Sequence, residues 1–482
     1  MMWRAVCALA VAAGVVCAAP KKAVPGGPTR LVTLSVAVEE AKSGAAPELT
    51  QDDLQVFDNG KQQTITVFRK ANGATGEAEP KLAPGEVSNR SGAIPHVTVI
   101  VFDVLNARMT QQGYARGEII DALKKVDSAD YLYFYLLTEQ GLMPVVGLPE
   151  AGEGPPPQMA MAWTKTIQPR LDQAMNTAYR MKPAMYTDER VMGTFSTMKM
   201  LADRLGAVAG RKNIVWITHG VPVDFEEPGL DPEGEMRLLG STLDAAGVAM
   251  YPVDMNGNGE IGASAETLGE IAAMTGGRVY LDTEIAKAVT QAMADTASSY
   301  VVGYVPPPEN WNGKLHKIKL KCSLKGVRLL AKSEYIAEPA ATGGGAQQQS
   351  ALRAATLSPF DASEIGLMAS MKPVVDAPGT VEVALRVRAQ DVKLLPVGDQ
   401  WAGSLVVIYA VLEEGAEPRA TDPQPMDLHL SAAERDKAMQ NGFVVKRGLE
   451  FGGAGKIRAI VYDNYSNQVG SVTLKGAKRN EP

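Results

Sequence analysis

Polar side chains lie where three apolar runs end, and these are the positions at which chemistry is expected. The run 97–102 stops at Asp103, a second run ends at Thr218 just before His219, and a third ends at Asp254. Short apolar runs bounded by polar residues predict strands buried on both faces of a parallel sheet. Ligands of open α/β sheets bind beyond the carboxyl ends of such strands. Asp103 is therefore a candidate for metal chemistry.

The segment that follows Asp254 matches two ligand-binding patterns incompletely. Residues 257–262 fit the Gly-x-Gly-x-x-Gly pattern of dinucleotide-binding loops, but they follow a late strand rather than the first one. The segment also opens like a calcium loop from Asp254 onwards, yet its twelfth position is Ala265 rather than glutamate. A plain glycine-rich turn is the preferred interpretation, and weak Ca²⁺ binding stays open.

Signals of catalysis are sparse in this sequence. It contains no Gly-x-Ser-x-Gly, His-Glu-x-x-His or P-loop motif. Of the four histidines, only His219 follows a predicted strand and faces a carboxylate, and the other three are interpreted as structural. A hydrolase built from Ser196, His219 and Asp103 rests on fold analogy alone. A non-enzymatic protein is the preferred interpretation.

Strands and helices alternate between residues 95 and 296. Strands are predicted at 97–102, 131–137, 213–218 and 248–254, and helices near 110–126, 163–181 and 194–208. Strands separated by helical segments of this length indicate βαβ units. The sequence therefore predicts an α/β domain with a doubly wound, mainly parallel sheet.

Alternating patterns typical of β-structure flank this domain on both sides. Asn59-Gly60 is a strong hairpin signal on the N-terminal side, and short alternating runs on the C-terminal side have sandwich-like spacing. The predicted organisation is a signal peptide at 1–18, an N-terminal β module at 28–70, a linker at 71–94, the α/β domain at 95–296, a β extension at 297–337, a flexible linker at 338–350 and a C-terminal β-sandwich at 351–479.

Composition narrows the class of protein. The 482 residues exceed what one hydrophobic core supports, so several domains are expected. A hydrophobic fraction of 45% and a charged fraction of 21% are those of a soluble globular protein. The formal net charge is -6 and no long cluster of Lys and Arg occurs, which argues against a nucleic-acid partner.

The N-terminus has the pattern of a secretory signal peptide. Arg4 precedes an apolar stretch at 5–16, and small residues precede a cleavage site after Ala18. No later apolar segment reaches the roughly 20 residues of a membrane span. After cleavage Cys322 is the one remaining cysteine, so no internal disulfide is expected. The mature protein is predicted to be exported and soluble, either periplasmic or secreted.

The chain resembles exported bacterial proteins that contain a von Willebrand factor A-related domain. The resemblance covers about residues 30–335. It rests on LTQDDLQVFDNGKQQTITVF for an N-terminal β module, VIVFDVLNA for the first strand and site loop, GRKNIVWITHG for the central strand and SSYVVGYVPPPENWNGKLHKIKLKC for a closing β extension. It implies a von Willebrand factor A-like sheet with flanking β modules.

The resemblance also implies a metal-ion-dependent adhesion site, which is degenerate here. Such a site uses Asp-x-Ser-x-Ser after the first strand, a Thr from a second loop and an Asp after the central strand, because Mg²⁺ takes oxygen ligands in octahedral geometry. Asp103 and Thr194 keep their positions, but Leu105 and Ala107 replace the serines and His219 replaces the second Asp.

We therefore expect no cofactor, although a divalent cation such as Mg²⁺ or Ca²⁺ stays an open alternative. Asp103, Thr194 and His219 would hold it. Asn106 and Asp254 add oxygens only if the loops depart from the family pattern. The preferred interpretation is a hydrogen bond between Asp103 and His219 that joins the two loops.

The expected function is that of an exported interaction or adhesion module that binds an unidentified protein or envelope component. The predicted contact residues are Asp103, Leu105, Asn106, Ala107, Arg108, Thr194, His219 and Asp254. The alternatives are an envelope hydrolase that uses His219 and Asp103, and a structural subunit of an envelope complex.

Overall fold

The computed structural model describes residues 31–40, 47–71, 82–90, 96–107, 109–124, 131–153, 163–180, 187–208, 210–220, 231–255, 263–281, 284–337, 345–453 and 455–476. The signal peptide predicted at 1–18, Arg108 and the glycine-rich segment 257–262 lie outside these ranges. None of the helices within them combines the length and the apolar composition that crossing a membrane requires.

The structure is mixed α/β, with one mainly parallel sheet and several antiparallel sheets. The first strands along the chain are β1 (Val32–Glu40), β2 (Leu54–Asp58), β3 (Lys61–Gln63), β4 (Ile65–Lys70) and β5 (Glu86–Ser88). Strands β2 and β3 form the hairpin predicted at Asn59-Gly60. Both turn residues have positive φ, 46° and 79°, which a two-residue turn of this type requires.

In the described residues of the central α/β part there are six strands and six helices. They are β6 (Thr98–Asp103), α1 (Met109–Leu123), β7 (Leu132–Thr138), β8 (Gly141–Val146), α2 (Trp163–Arg180), α3 (Thr187–Leu205), β9 (Lys212–Thr218), α4 (Pro232–Ala245), β10 (Val248–Asp254), α5 (Ala263–Thr275), β11 (Tyr280–Leu281) and α6 (Ile285–Ala297). The strand order in the sheet is β11-β10-β9-β6-β7-β8.

Burial explains why the central strands form where the sequence predicts them. Every residue of β6, β7 and β9 is buried, as expected for strands covered on both faces. Among the described strands of this sheet, β8 alone runs antiparallel to its neighbour. This strand escaped prediction because Pro144 interrupts its apolar pattern, and an edge strand tolerates proline since one side needs no partner.

The strands that follow the central part complete the N-terminal β-structure. They are β12 (Ser299–Tyr304), β13 (Leu315–Cys322), β14 (Val327–Leu330) and β15 (Glu334–Ile336). They join the N-terminal strands in two sheets, ordered β14-β1-β12-β4 and β15-β13-β2-β3, around one apolar core. The segments 28–70 and 297–337, which the sequence presents as two modules, thus share their sheets.

A buried polar cluster lies inside this two-sheet unit. Asp58 ends β2 and is 1% exposed. Its carboxylate accepts hydrogen bonds of 2.9 Å from the hydroxyls of Tyr304 and Tyr335, and it lies 2.7 Å from His316 Nδ1. Since these residues come from both segments, Asp58 links the two parts of the unit.

The C-terminal part is a β-structure with two short helices. Its elements are α7 (Gly345–Leu357), β16 (Leu367–Pro373), β17 (Thr380–Val387), β18 (Leu395–Val397), β19 (Gln400–Leu412), β20 (Arg419–Ala420), β21 (Gln424–Leu430), α8 (Ala432–Asn441), β22 (Phe443–Glu450), β23 (Lys456–Asp463) and β24 (Val469–Lys475). Strand β5, from the segment predicted as a linker, pairs with β16. Helix α7 begins inside the predicted linker 338–350.

Arg458 connects α7 with the C-terminal sheet. Its fully buried guanidinium donates to the backbone oxygens of Ala355 and Ser358, at 2.8 and 2.5 Å, and lies 3.4 Å from the Asp361 carboxylate. A basic side chain at the C-terminal end of a helix donates hydrogen bonds to the last carbonyl groups. Its positive charge also interacts favourably with the negative end of the helix dipole.

Replacing Asp58 with alanine should lower the free energy of unfolding by about 3–5 kcal/mol, because a buried histidine and two buried hydroxyls lose their common partner. Urea denaturation measures this loss. The exposed Asp52→Ala variant in the same segment should change stability by less than about 0.5 kcal/mol. Similar small losses for both variants would show that the cluster does not hold the two sheets together.

Candidate functional site

The predicted strand ends converge at one edge of the central sheet. Strands β6, β9 and β10 are parallel neighbours, with Phe102 opposite Ile217 and Thr218 opposite Asp254. Asp103, the next residue of β6, therefore lies beside the end of β9. The residues that follow these strands therefore lie at one edge of the sheet.

Asp103 is fully buried and its carboxylate is hydrogen-bonded on both oxygens. Oδ1 accepts from the backbone N–H of Asn106 at 3.0 Å. Oδ2 accepts from the Thr218 hydroxyl at 2.8 Å, from Trp216 Nε1 at 3.3 Å and from Asn106 Nδ2 at 2.8 Å. A buried carboxylate without a counter-charge requires several such donors.

The Asn106 side chain is the centre of this arrangement. Its Nδ2 donates to Asp103 Oδ2 and, at 2.9 Å, to the hydroxyl of Thr194. Asp103 and Thr194 are the two residues whose oxygens would hold a cation in the family site. The amide of Asn106 thus lies between these two side-chain oxygens.

Thr194 reaches the site from a helix rather than from a loop. Helix α3 begins at Thr187, whereas the sequence predicts its start near residue 194. Thr194 is fully buried in the second turn, and its hydroxyl donates to the Arg190 carbonyl at 2.8 Å. Threonine adopts this bond within helices readily. The polar run Thr187-Asp188-Glu189 is the start signal that the prediction overlooked.

Burial dominates the protonation equilibrium of Asp103. Removal from water raises the pKa of its carboxyl above the ordinary value, and the hydrogen bonds from Asn106, Thr218 and Trp216 oppose that shift. The shift is upward because desolvation penalises the charged form more than these donors repay.

His219 does not form the predicted hydrogen bond with Asp103. Among the described residues, the donors to the Asp103 carboxylate are Asn106, Thr218 and Trp216. Trp216 and Thr218 share one face of β9 because alternate residues of a strand point the same way. His219 lies beyond the strand, half-buried, and burial lowers its pKa while the charge of Asp254 opposes that shift.

The predicted contact residues divide into buried and half-buried groups. Asp103 and Thr194 are fully buried, and Leu105 is 7% exposed and packs in the central core. Leu105 therefore does not present an apolar surface to a partner. The half-buried residues are Asn106, Ala107, His219 and Asp254, and we call these four the rim.

The residues present do not fit the cation of the family site. Mg²⁺ requires about six oxygen ligands, but Asp103 already accepts four hydrogen bonds and the Asn106 amide stands between it and Thr194. Leu105 and Ala107 carry no oxygen in their side chains. Across the described ranges, no group of three or more His, Cys, Asp or Glu side chains lies close enough to hold a metal.

The structure also does not bring together Ser196 and Asp103, two residues of the hydrolase alternative. Thr194 is fully buried beside Asn106, whereas Ser196 is exposed. Two residues along a helix are rotated by about 200°, so these side chains leave α3 on different faces. Ser196 therefore points away from Asp103.

Two residues of the site, Trp216 and Thr218, are not among the site residues predicted from the sequence. Both donate to Asp103 from β9. Their spacing of two on a strand next to β6 was the available signal, because it places both side chains on one sheet face.

Comparisons with known proteins identify no family. No family model and no curated protein matches the chain. Among solved structures, it is similar to the human COPII-coat protein Sec24c at 11% identity, with 53% of this chain and 47% of that chain covered and a TM-score of 0.27. It is also similar to the PilB minor pilin of Streptococcus sanguinis at 11% identity, with 42% and 62% covered and a TM-score of 0.28.

A third similarity is to a superoxide reductase, neelaredoxin, of Archaeoglobus fulgidus. The identity is 17%, 22% of this chain and 88% of that chain are covered, and the TM-score is 0.16. The chain thus spans about half of the Sec24c chain and about three fifths of the pilin chain. Similarities at these TM-scores carry no argument about function.

The raised pKa of Asp103 predicts how an Asp103→Asn variant responds to pH. The folded protein holds this proton more tightly than the unfolded chain, whose reference value is 3.8, so the contribution of Asp103 to stability falls as pH rises above that value. The asparagine variant lacks this loss. Its free energy of unfolding relative to wild type should therefore rise between about pH 4 and 7 in urea denaturation. A relative stability that falls over this window would contradict the shift.

Mg²⁺ or Mn²⁺ at millimolar concentration should not raise the thermal midpoint of the wild-type protein, because the Asn106 amide holds the position of the ion. Differential scanning fluorimetry measures the midpoint, and a binding ion would raise it in proportion to the logarithm of its concentration. A clear upshift with wild type would overturn the degenerate-site assignment.

The matched control restores the family residues. A variant with Leu105→Ser, Asn106→Gly, Ala107→Ser and His219→Asp supplies the missing oxygens and removes the amide. Its midpoint should rise by a few degrees with Mg²⁺.

Proposed function

We propose that this chain is an exported interaction module that binds a partner without a metal through the rim of its central domain. The observation that supports this best is the position of Asn106. Its amide spans the distance between Asp103 and Thr194 with hydrogen bonds of 2.8 and 2.9 Å. The loop after β6 is held to helix α3 by the protein itself, so a partner can bind there without a metal ion.

The topology of the central sheet supports a doubly wound domain of the von Willebrand factor A kind. Numbered along the chain within the sheet, the strands lie in the order 6-5-4-1-2-3. Helices α1 and α6 contact each other, and α3, α4 and α5 contact in series, as expected for two helical layers. The order reverses between β6 and β9, and such reversal points are where open α/β sheets bind ligands.

The chemistry of the rim favours a hydrogen-bonding contact. Besides Ala107, it carries the Asn106 amide oxygen, the His219 imidazole and the Asp254 carboxylate. Burial lowers the pKa of His219 and so favours the neutral imidazole, the form with one donor and one acceptor nitrogen. A protein or envelope component that presents polar backbone or side-chain groups is the partner that this surface suits.

Export is the setting in which this function is proposed. The N-terminal segment with Arg4 and an apolar stretch at 5–16 is the basis of that proposal. The protein would therefore act in the periplasm or outside the cell. No catalytic role is proposed, since Ser196 does not face the site.

Cross-linking capture from the native envelope with the full-length protein tests the proposal. Ala107→Arg places a long charged side chain on the rim and should reduce partner capture at least about tenfold, as quantified by mass spectrometry. Val375→Arg, at a position that is 92% exposed in the C-terminal part, is the matched control and should capture as wild type does.

The same capture in the presence of EDTA separates metal-independent from metal-dependent binding. The proposal expects equal capture with and without the chelator. It fails if EDTA abolishes capture, or if Ala107→Arg and Val375→Arg capture the same partners equally well.

A further inference from the structure

A second candidate site lies at the opposite edge of the central sheet. Arg211 and Lys212 stand at the start of β9, whereas Asp103 lies beside its end. Seven residues of strand separate these edges by about 20 Å. This second site is therefore independent of the rim.

The site is a cavity of about 710 Å³ between the central domain and both β-structures. Its walls include Val32 of β1, Ala354 of α7 and Val469 of β24. It reaches the surface at Leu238, which is 46% exposed. A volume of this size at a junction of domains is typical of small-molecule sites.

Lys212 is a buried cation in the wall of this cavity. It is 3% exposed, and its Nζ donates to the Val208 carbonyl at 2.5 Å. Within the described ranges no carboxylate lies within ion-pair distance of it. A buried charge without a counter-charge is costly. That cost is visible in its pKa, which burial lowers to about 8 against the opposing charge of Glu364.

Two further donors in the wall lack acceptors. Arg211 is 1% exposed, and its Nη2 donates to the Tyr251 hydroxyl at 2.8 Å. Its Nε is buried and has no hydrogen-bond partner among the described residues. The same holds for the hydroxyl of Ser35 on β1. Buried donors without acceptors are rare in proteins, and a bound ligand is one explanation for them.

The remaining charges of the wall limit the charge of that ligand. Lys332 pairs with Asp244 at 2.6 Å, and Arg69 pairs with Glu364 at 3.6 Å. Four basic and four acidic side chains line the cavity: Arg69, Arg211, Lys212, Lys332, Asp203, Asp244, Glu334 and Glu364. A phosphate dianion would face these carboxylates, whereas a single negative charge suffices to pair Lys212.

We propose that this cavity binds a small monocarboxylic acid with an apolar body. Lys212 supplies the counter-charge for the carboxylate. The apolar body packs on wall residues such as Val67, Met274 and Trp311. This activity is additional to partner binding at the rim and does not depend on it.

Isothermal titration calorimetry of the full-length protein with octanoate tests the proposal, with 1-octanol and inorganic phosphate as comparison probes. Octanoate should bind at least about tenfold more tightly than either, because only it combines one negative charge with an apolar chain. Lys212→Met should weaken octanoate binding at least about tenfold, while the exposed Lys287→Met should leave it unchanged. Binding to wild type should also weaken about tenfold or more from about pH 7 to 9.5, as Lys212 loses its proton.

Equal affinity for octanoate and 1-octanol, undiminished binding by Lys212→Met, or no octanoate binding at millimolar concentration would each overturn the proposal. If Lys212→Met does not fold, NMR of wild-type protein with isotope-labelled lysine decides. The Lys212 side-chain signal should move on addition of octanoate, and an unmoved signal would refute the site.

Discussion

The central constraint of this structure is the burial of one carboxylate, that of Asp103, at the edge where the sheet meets its loops. A carboxylate removed from water requires either a counter-charge or a set of donors. A cation supplies the counter-charge in the family that the sequence resembles. Here the donors are backbone and side-chain groups of Asn106, Thr218 and Trp216.

The hydrogen bonds around Asp103 connect several secondary-structure elements. Asn106 joins the loop after β6 to Thr194 on α3, while Trp216 and Thr218 join the same carboxylate to β9. The loop is also anchored by the backbone, since the N–H groups of Val104 and Leu105 donate to the Leu137 carbonyl. The edge of the sheet is therefore held in place by hydrogen bonds of the protein itself.

Buried polar groups also define the other junctions of the molecule. Asp58 contacts two tyrosines and a histidine through hydrogen bonds inside the two-sheet unit that the N-terminal strands form with β12 to β15. Arg458 joins the C-terminal sheet to the end of α7 through hydrogen bonds. Lys212 differs from both, because among the described residues its ammonium has no carboxylate within ion-pair distance. This difference is why the cavity beside it is a candidate for a ligand and the other two clusters are structural.

The sequence predicts the central strands well because apolar runs such as 97–102 are dictated by burial on both faces. It predicts the hairpin at Asn59-Gly60 for a local reason, the positive φ of the turn. The pairing of β5 with β16 and the sharing of sheets by 28–70 and 297–337 depend on contacts between distant segments, which periodicity does not encode.

The candidate site, too, is predictable from the sequence only in part. Its location follows from where strands end, so Asp103, Asn106 and His219 are found from the sequence. The hydrogen-bond partners of Asp103 cannot be predicted from the sequence. They depend on the rotamer of Asn106 and on which face of β9 carries Trp216 and Thr218. Leu105 shows the same limit, since its position in the loop does not reveal that it packs in the core.

One diffraction measurement tests the claim that an amide replaces a cation at this edge. Crystals of the wild-type protein grown with millimolar Mn²⁺ would show an anomalous peak wherever the ion is bound. The expected result is no peak between Asp103 and Thr194, with the Asn106 side chain within hydrogen-bond distance of both. An Mn²⁺ peak at that position, with Asn106 turned away, would contradict it.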